Sequence, residues 1–181
     1  MRESPAGGLY VVTAAVVALG DQQGVEDRLR SALGGRRRRV HWHSESHKDR
    51  EALVELLAGL ELRAVCAAVQ PTVPRRQERA RERALWTLVP ELVSQGVVEL
   101  VLEARQEQLN RRDVRTIGAI HRAALIEEKL AHRFAVPDRQ HPLLWAADIV
   151  AGAVGLEVAD CEDRYTKRLP EGFVTVHYAA R

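Results

Sequence analysis

Continuous apolar runs alternate with stretches of helical periodicity along the chain. The runs Leu9–Leu19, Leu62–Val69 and Val97–Ala104 are rich in β-branched residues and predict strands buried in a sheet. Shorter runs over Leu130–Val136 and Phe173–Tyr178 predict two further strands. Because these strands alternate with helical segments, the pattern predicts an α/β domain with a partly parallel sheet.

Several segments between the strands are expected to be helical. Ser46 or Asp49 can cap one helix, whose leucines recur at helical spacing. Gly96 stands where a capping glycine belongs after a long helix. The expected segments are a short polar helix or loop over Gly24–Leu33, a helix after Ser46, and helices over Arg75–Gln95, from Asp113 and over Pro142–Leu156.

Asp148 is the only ionisable residue in the apolar run Pro142–Leu156. A buried carboxylate must be paired, hydrogen-bonded, metal-bound or protonated, because an unpaired buried charge is very costly. Ala151 and Gly152 share its helical face and leave room for a backbone, an ion or a ligand. Asp148 therefore either faces an acidic site, or points to solvent or pairs with one arginine.

Glu103 ends a predicted strand, and ligands of open α/β sheets bind beyond the carboxyl ends of strands. Together with Asp148 it would form an oxygen-rich site for Mg²⁺ or Mn²⁺. Such ions can activate water for phosphodiester cleavage. Two carboxylates are few for a two-metal site, and a strand-end glutamate can also be merely solvated or paired.

The segment from Val40 to Glu45 carries a second candidate chemistry. His41, His43 and Glu45 alternate with Val40 and Trp42, which predicts a strand with two unlike faces. His43 or Glu45 could transfer a proton in catalysis. A solvated strand edge is the alternative.

Arginines form clusters that suit phosphate contacts. Arg111 and Arg112 lie in a predicted loop, Arg105–Arg112, directly after the strand that ends in acid, and are the candidate substrate contacts. The cluster over Arg75–Arg83 is interleaved with glutamates at helical spacing, so its charges can instead pair within the helix.

Composition narrows the classes of function. A formal net charge of +2 favours neither strong nucleic-acid binding nor a membrane surface. Cys66 and Cys161 have no metal-ligand spacing and suggest no disulfide, which predicts a reducing cytoplasm. Glu3 and Pro5 argue against a signal peptide at Leu9–Leu19. The sequence contains no dinucleotide-binding glycine motif, P-loop, nucleophile elbow or H-E-x-x-H zinc motif.

The segment LLWAADIVAGAV resembles the closing helix of the domain-of-unknown-function 3800 family, which has a ribonuclease H-like fold. The acid that ends VVELVLEA and the HWH segment resemble a mid-chain acidic position and a histidine-bearing strand of that family. The length of 181 residues predicts a single domain over residues 1–181. The resemblance implies a mixed sheet flanked by helices and a metal-dependent nuclease activity. It assigns metal-ligand roles to Glu103 and Asp148 and an accessory role to His43.

One feature of the family pattern is absent. Family members begin with a strand carrying a Tyr-x-Asp-Glu-Ser-like acid, whereas this sequence begins MRES. Either the start lies farther upstream or the first acid is lacking, and a missing strand would favour a homodimer through the gap. The leading hypothesis is a Mg²⁺- or Mn²⁺-dependent nuclease or related phosphodiester-acting enzyme. The alternative is an inactive module of the same fold that binds nucleic acid or protein.

Overall fold

The computed structural model describes residues 8–32, 40–123 and 130–179. Within these ranges the chain is a mixed α/β protein, as the alternation of strands and helices predicts. None of the described helices is both long and apolar enough to cross a bilayer. In chain order the elements are β1 (Gly8–Val16), α1 (Gln22–Ala32), α2 (His47–Ala58), β2 (Arg63–Thr72), α3 (Gln77–Ser94), β3 (Glu99–Glu103), α4 (Glu107–Arg122), β4 (Ala131–Ala135), α5 (Leu143–Asp160) and β5 (Val174–Tyr178).

The strands form two groups. β2 is the central strand of a mixed three-stranded sheet, in which it pairs antiparallel with β1 and parallel with β5. β3 and β4 pair in parallel as a separate two-stranded sheet. All five strands that the apolar runs predict are present, but β1 is only partly buried. Its second edge lines a cavity instead of pairing with another described strand.

Helix α3 connects the two groups of strands through two apolar stripes. One stripe includes Ala84 and Leu88 and packs with the side chains of β1 and β2 that point towards α3. The other includes Leu85 and Val89 and packs against β3 and α4. The helical repeat of about 3.6 residues places these pairs on adjacent faces of one helix. Both groups of strands therefore pack against the same helix.

Helix α5 covers the opposite face of the three-stranded sheet. It also packs against Trp42, whose side chain is fully buried. A Cβ atom added to Gly152 would lie 2.1 Å from the Trp42 ring, so only glycine fits at this helix position. The glycine four residues after Asp148 is therefore explained by a tryptophan of the same chain, and not by a ligand. The Trp42 and Tyr165 rings also form a T-shaped pair, with 5.0 Å between ring centroids.

The local predictions had mixed outcomes. The Ser46 side chain caps α2 by accepting a hydrogen bond from the Asp49 backbone N–H, and Gly96 adopts a positive φ of 80° after α3. The predicted strand around His43 is wrong, because Trp42–Ser44 is a 3-10 helix held by the inward packing of its tryptophan. Residues 33–39, including the arginines before Val40, lie outside the described ranges.

The predicted loop after β3 is largely wrong. Helix α4 begins at Glu107, six residues before the expected start at Asp113. An acid in its first turn and an Arg111–Glu107 pair at i,i+4 spacing both favour helix here. Arg111 and Arg112 therefore lie on a helix and not in a loop.

Candidate functional site

A cavity of about 860 Å³ lies between β1 and β3. Residues 10–19 line it along one side and residues 97–103 along the other. Helix α3 contributes Arg81 and a leucine stripe, and α5 contributes leucine, alanine and aspartate side chains at helical spacing. The principal lining residues from the two helices are Leu85, Leu88 and Leu92 of α3 and Leu144, Ala147, Asp148 and Ala151 of α5.

The two strands that flank the cavity run in opposite directions. Tyr10, near the start of β1, interacts with Arg81 near the start of α3. Arg105, just after the end of β3, pairs with Glu78 in the first turn of the same helix. The start of β1 and the end of β3 therefore lie at the same end of α3.

Asp148 lies on the wall that α5 contributes to the cavity, and its carboxylate has defined partners. Its Oδ2 atom accepts a hydrogen bond of 2.9 Å from the Trp42 backbone N–H. The Nδ1 atom of His41 lies 3.4 Å from the same oxygen. The Asp148 side chain is 37% exposed, so the acid is half-buried despite its apolar sequence context. Its structural task is to hold the 3-10 turn against α5.

Glu103 occupies the last position of β3 and also lines the cavity. The structure thus brings Asp148 and Glu103, which are 45 positions apart in the sequence, to the lining of one cavity. Glu103 is exposed and has an interaction of its own. The shared cavity is the arrangement on which the predicted acidic site depends.

His41 is the histidine that the structure places beside Asp148, whereas His43 was the predicted catalytic residue. In the 3-10 turn, His43 is exposed and Glu45 is partly buried, with its backbone N–H donating to the Trp42 carbonyl at 3.2 Å. Neither side chain is among the described residues that line the cavity. The strand-type alternation in the sequence could not distinguish His41 from His43, because it placed both on one face.

The predicted phosphate contacts lie apart from the cavity lining as well. Arg111 and Arg112 are exposed on α4, and neither is among the described lining residues. Arg111 pairs with Glu107 at 2.5 Å, with both side chains more than 70% exposed. A pair that exposed contributes little stability and leaves the guanidinium accessible to an anion.

The sequence patterns did not predict a buried ionic cluster that lies at one end of the cavity. Asp113 is 3% exposed and receives hydrogen bonds from both Arg81 and Arg105, at 2.9–3.0 Å. Burial alone would lower the pKa of the Arg81 guanidinium, but hydrogen bonds from it to Asp113 and the negative charge there outweigh burial and raise the pKa. Arg81 pairs with Asp113 and Glu78 pairs with Arg105. These two residues thus pair with other elements, whereas their interleaved sequence suggested pairing within the helix.

The ligand set for a metal ion is sparse. Among the described residues, no group of three or more His, Cys, Asp or Glu side chains is placed to hold a metal ion. Asp148 and Glu103 would therefore need water or substrate oxygens to complete a coordination shell. Comparison of the chain with protein-family models, curated proteins and solved structures found no match.

Proposed function

We propose that this protein is a divalent-metal-dependent phosphodiester-acting enzyme of ribonuclease H-like type, with nucleic acid as its substrate. The observation that supports this proposal is the convergence of Glu103 and Asp148 on one cavity from β3 and α5. The mixed α/β architecture and the family resemblance of the α5 segment are consistent with it. Arg111 and Arg112, exposed on the helix that follows β3, add positive charge that attracts a phosphodiester backbone.

The donor set fits Mg²⁺ or Mn²⁺ under one condition. Mg²⁺ in enzymes of this class is commonly held by one or two carboxylates, with waters and substrate phosphates as further ligands. Glu103 and Asp148 would supply the two carboxylates, and the substrate would complete the site. When bound, such an ion would lower the pKa of a water and neutralise charge on phosphate.

The residues around these acids have assigned tasks in this proposal. His41 orients the Asp148 carboxylate, which it approaches at 3.4 Å. Arg111 and Arg112, exposed on α4 outside the described cavity lining, would hold phosphates of a substrate that extends beyond the cavity. His43 or Glu45, also outside that lining, would transfer a proton where such a substrate passes the turn.

The test is cleavage of single- and double-stranded DNA and RNA in the presence of Mg²⁺ or Mn²⁺. We expect Asp148→Asn and Glu103→Gln each to reduce cleavage at least about 100-fold, because each removes a charged ligand. Asp160→Asn is the matched control, since Asp160 is exposed near the end of α5 and is not among the described lining residues. Activity that survives Asp148→Asn, or that Asp160→Asn removes equally, would contradict the assignment.

A non-catalytic binding module is the second candidate. The hydrogen bond from Trp42 N–H to Asp148 favours it, because this carboxylate already has a structural task. Such a module would bind a polynucleotide or a protein without any requirement for metal. Binding to single-stranded RNA that weakens steeply with salt, with no cleavage and no effect of Mg²⁺, would favour this candidate over the enzyme.

A further inference from the structure

The outward face of helix α4 carries a straight row of arginines. Arg111, Arg115 and Arg122 lie within about 40° of one another around the helix axis, because each residue of an α-helix advances by about 100°. All three side chains are exposed. The buried residues of the helix lie on the opposite side and are Asp113, Thr116, Ile117 and Ile120. The three arginines therefore form an arginine row about 17 Å long that points away from the core.

The side chains of the arginine row lean back along the helix towards its first turn. Arg111 pairs with Glu107 at 2.5 Å. The Nε atom of Arg115 donates a hydrogen bond of 3.3 Å to the Arg111 carbonyl. A Cβ atom added to Gly118 would lie 3.3 Å from the Nη1 atom of Arg122, so Arg122 covers that glycine. This is the usual direction of long side chains on a helix, and it leaves the guanidinium groups along one line of the surface.

The charges of the arginine row have fewer acidic partners than other exposed cations of the protein. Around the last 3-10 turn, Arg164, Lys167 and Arg168 each pair with a carboxylate. In the row, only Arg111 has an acidic partner among the described residues. Asp113, the other acid of α4, belongs to the buried ionic cluster. Because like charges four positions apart on a helix repel each other, an anion bound along the row would relieve that repulsion.

The length of the arginine row determines the kind of anion that matches it. A single phosphate or carboxylate occupies one guanidinium group, whereas a nucleic-acid strand carries one phosphate for about every 3.4 Å of duplex axis. A row of about 17 Å therefore matches the repeated phosphates of one strand. Helix α4 has no Phe, Tyr or Trp on which a base could stack, so the match is to the backbone and not to the bases.

Building on the proposed function, in which nucleic acid is the substrate, we propose that the arginine row binds the phosphate backbone of one nucleic-acid strand outside the cavity. Arg115 and Arg122 thus join Arg111 as substrate-binding residues. Helix α4 begins four residues after Glu103, so the row starts near the end of β3 and continues along the outer surface of the helix. A strand that reaches the two acids is held over several further nucleotides, without selection for base sequence.

The probe is a fluorescein-labelled oligothymidylate of about 20 nucleotides, whose anisotropy is followed in EDTA so that no metal-dependent cleavage occurs. We expect the logarithm of the affinity to fall against the logarithm of the salt concentration with a slope of about −2, since each phosphate contact of a single strand contributes about −0.7. The triple variant Arg111→Gln, Arg115→Gln, Arg122→Gln should bind at least about tenfold more weakly and should flatten the slope. A DNA duplex of the same length should respond to this variant in the same direction.

A matched control tests whether the position of the charges matters. The triple variant Arg28→Gln, Arg164→Gln, Lys167→Gln removes the same total charge from exposed positions outside α4. Its net charge equals that of the arginine-row variant, but its affinity should stay within about twofold of the unaltered protein, because screening confines the attraction to nearby charges. Circular dichroism shows whether both variants fold.

Gly118 permits a second test that needs no arginine to be removed. Gly118→Glu places a negative charge between Arg115 and Arg122, and Gly118→Gln has the same shape without the charge. Only the Nη1 atom of Arg122, at the movable end of its side chain, lies within 4 Å of the new Cβ atom, and both residues favour helix more than glycine does. We expect Gly118→Glu to bind at least about threefold more weakly than Gly118→Gln. This pair decides the outcome if the triple variant does not fold.

The proposal would be overturned by no binding of either nucleic acid at low salt, by equal losses in the two triple variants, or by equal affinities of Gly118→Glu and Gly118→Gln. Binding of poly-glutamate as tight as that of the oligothymidylate would identify the row as a site for acidic polypeptides instead. Cleavage in Mg²⁺ that the arginine-row variant retains with unchanged KM would refute the row and leave the enzyme standing. Binding through the row with no cleavage in Mg²⁺ or Mn²⁺ would refute the enzyme and leave the row standing.

Discussion

Asp113 and Asp148 are both carboxylates on long helices, but the regions around them handle the charge differently. Asp113 on α4 is 3% exposed and is surrounded by the guanidinium groups of Arg81 and Arg105. Asp148 on α5 is 37% exposed and accepts a hydrogen bond from a backbone N–H. The more deeply buried acid lies in a polar helix, and the half-exposed acid lies in an apolar one.

The burial of an acid therefore depends on the charged partners that meet it in the fold, and not on how apolar its sequence neighbours are. Two arginines from α3 and from the segment after β3 neutralise Asp113 and satisfy its oxygens, so its burial is tolerable. Asp148 is held instead by the Trp42 N–H and approached by His41, and it keeps part of its surface in the cavity. A half-exposed acid with room beside it is the better candidate for binding a ligand.

The largest effect should come from breaking the Asp113 cluster. We expect Asp113→Asn to lower the free energy of unfolding by about 3 kcal/mol, because it leaves Arg81 buried without its counter-charge. Urea denaturation followed by circular dichroism measures the change. The double variant Arg81→Met, Asp113→Leu removes both charges and should recover most of the loss. A loss below about 1 kcal/mol for the single variant would show that the cluster is effectively solvated.

The sequence predicted the elements of the fold better than the contacts of the site. Apolar runs identified all five strands, although β4 is exposed at three of its five positions. The same patterns could not identify the 3-10 turn at Trp42, since that turn depends on a tryptophan packing against Gly152, 110 positions later. Nor could it foresee the Arg81–Asp113 pair, whose partners lie 32 positions apart on two helices.

In the candidate site, too, the sequence predicted positions on elements better than contacts between side chains. The strand-end position of Glu103 and the apolar context of Asp148 singled out two acids that do line one cavity. The sequence does not distinguish His41 from His43, because the proximity of His41 to Asp148 follows from the turn and not from a strand face. The arginines of α4 were placed in a loop because helix-forming residues and loop residues look alike in a segment with so few apolar side chains.

The second effect tests how Trp42 is seated beside Asp148. We expect Gly152→Ala to lower the free energy of unfolding by about 2 kcal/mol, because its Cβ would overlap the Trp42 ring. Gly155→Ala on the same helix is the matched control. Nothing lies within 4 Å of its Cβ position, so it should raise stability by about 0.5–1 kcal/mol. Equal effects of the two alanines would show that the tryptophan is not fixed on α5.

The third effect, from Asp148→Asn, should be smaller and compares the two aspartates directly. We expect Asp148→Asn to cost about 1 kcal/mol or less, because the amide oxygen can still accept the Trp42 N–H and the side chain is 37% exposed. The same urea titration, run beside Asp113→Asn, gives the ratio of the two losses. If Asp148→Asn costs as much as Asp113→Asn, Asp148 is chiefly a structural residue and its candidacy as a ligand weakens.

The smallest perturbation uses Cys66 as a reporter of opening. Burial raises the pKa of the Cys66 thiol to about 11, with the hydrogen bond to Thr13 opposing this in part. The folded pKa lies above the ordinary value of 9.0, so stability from the protonated thiol is complete below about pH 9 and falls as pH rises from there through about 11. At pH 8, therefore, a disulfide reagent should label only the exposed Cys161 rapidly.

Slow labelling of Cys66 in a Cys161→Ser background then reports how often the core opens. If labelling requires global unfolding, its rate follows the unfolding equilibrium. Asp113→Asn should accelerate it roughly 100-fold and Asp148→Asn by no more than about fivefold, in proportion to their losses of stability. An acceleration by Asp148→Asn that exceeds the one by Asp113→Asn would mean that α5, which covers Cys66, detaches locally. The Asp148 contact would then secure that helix, and the ranking of the two aspartates would reverse.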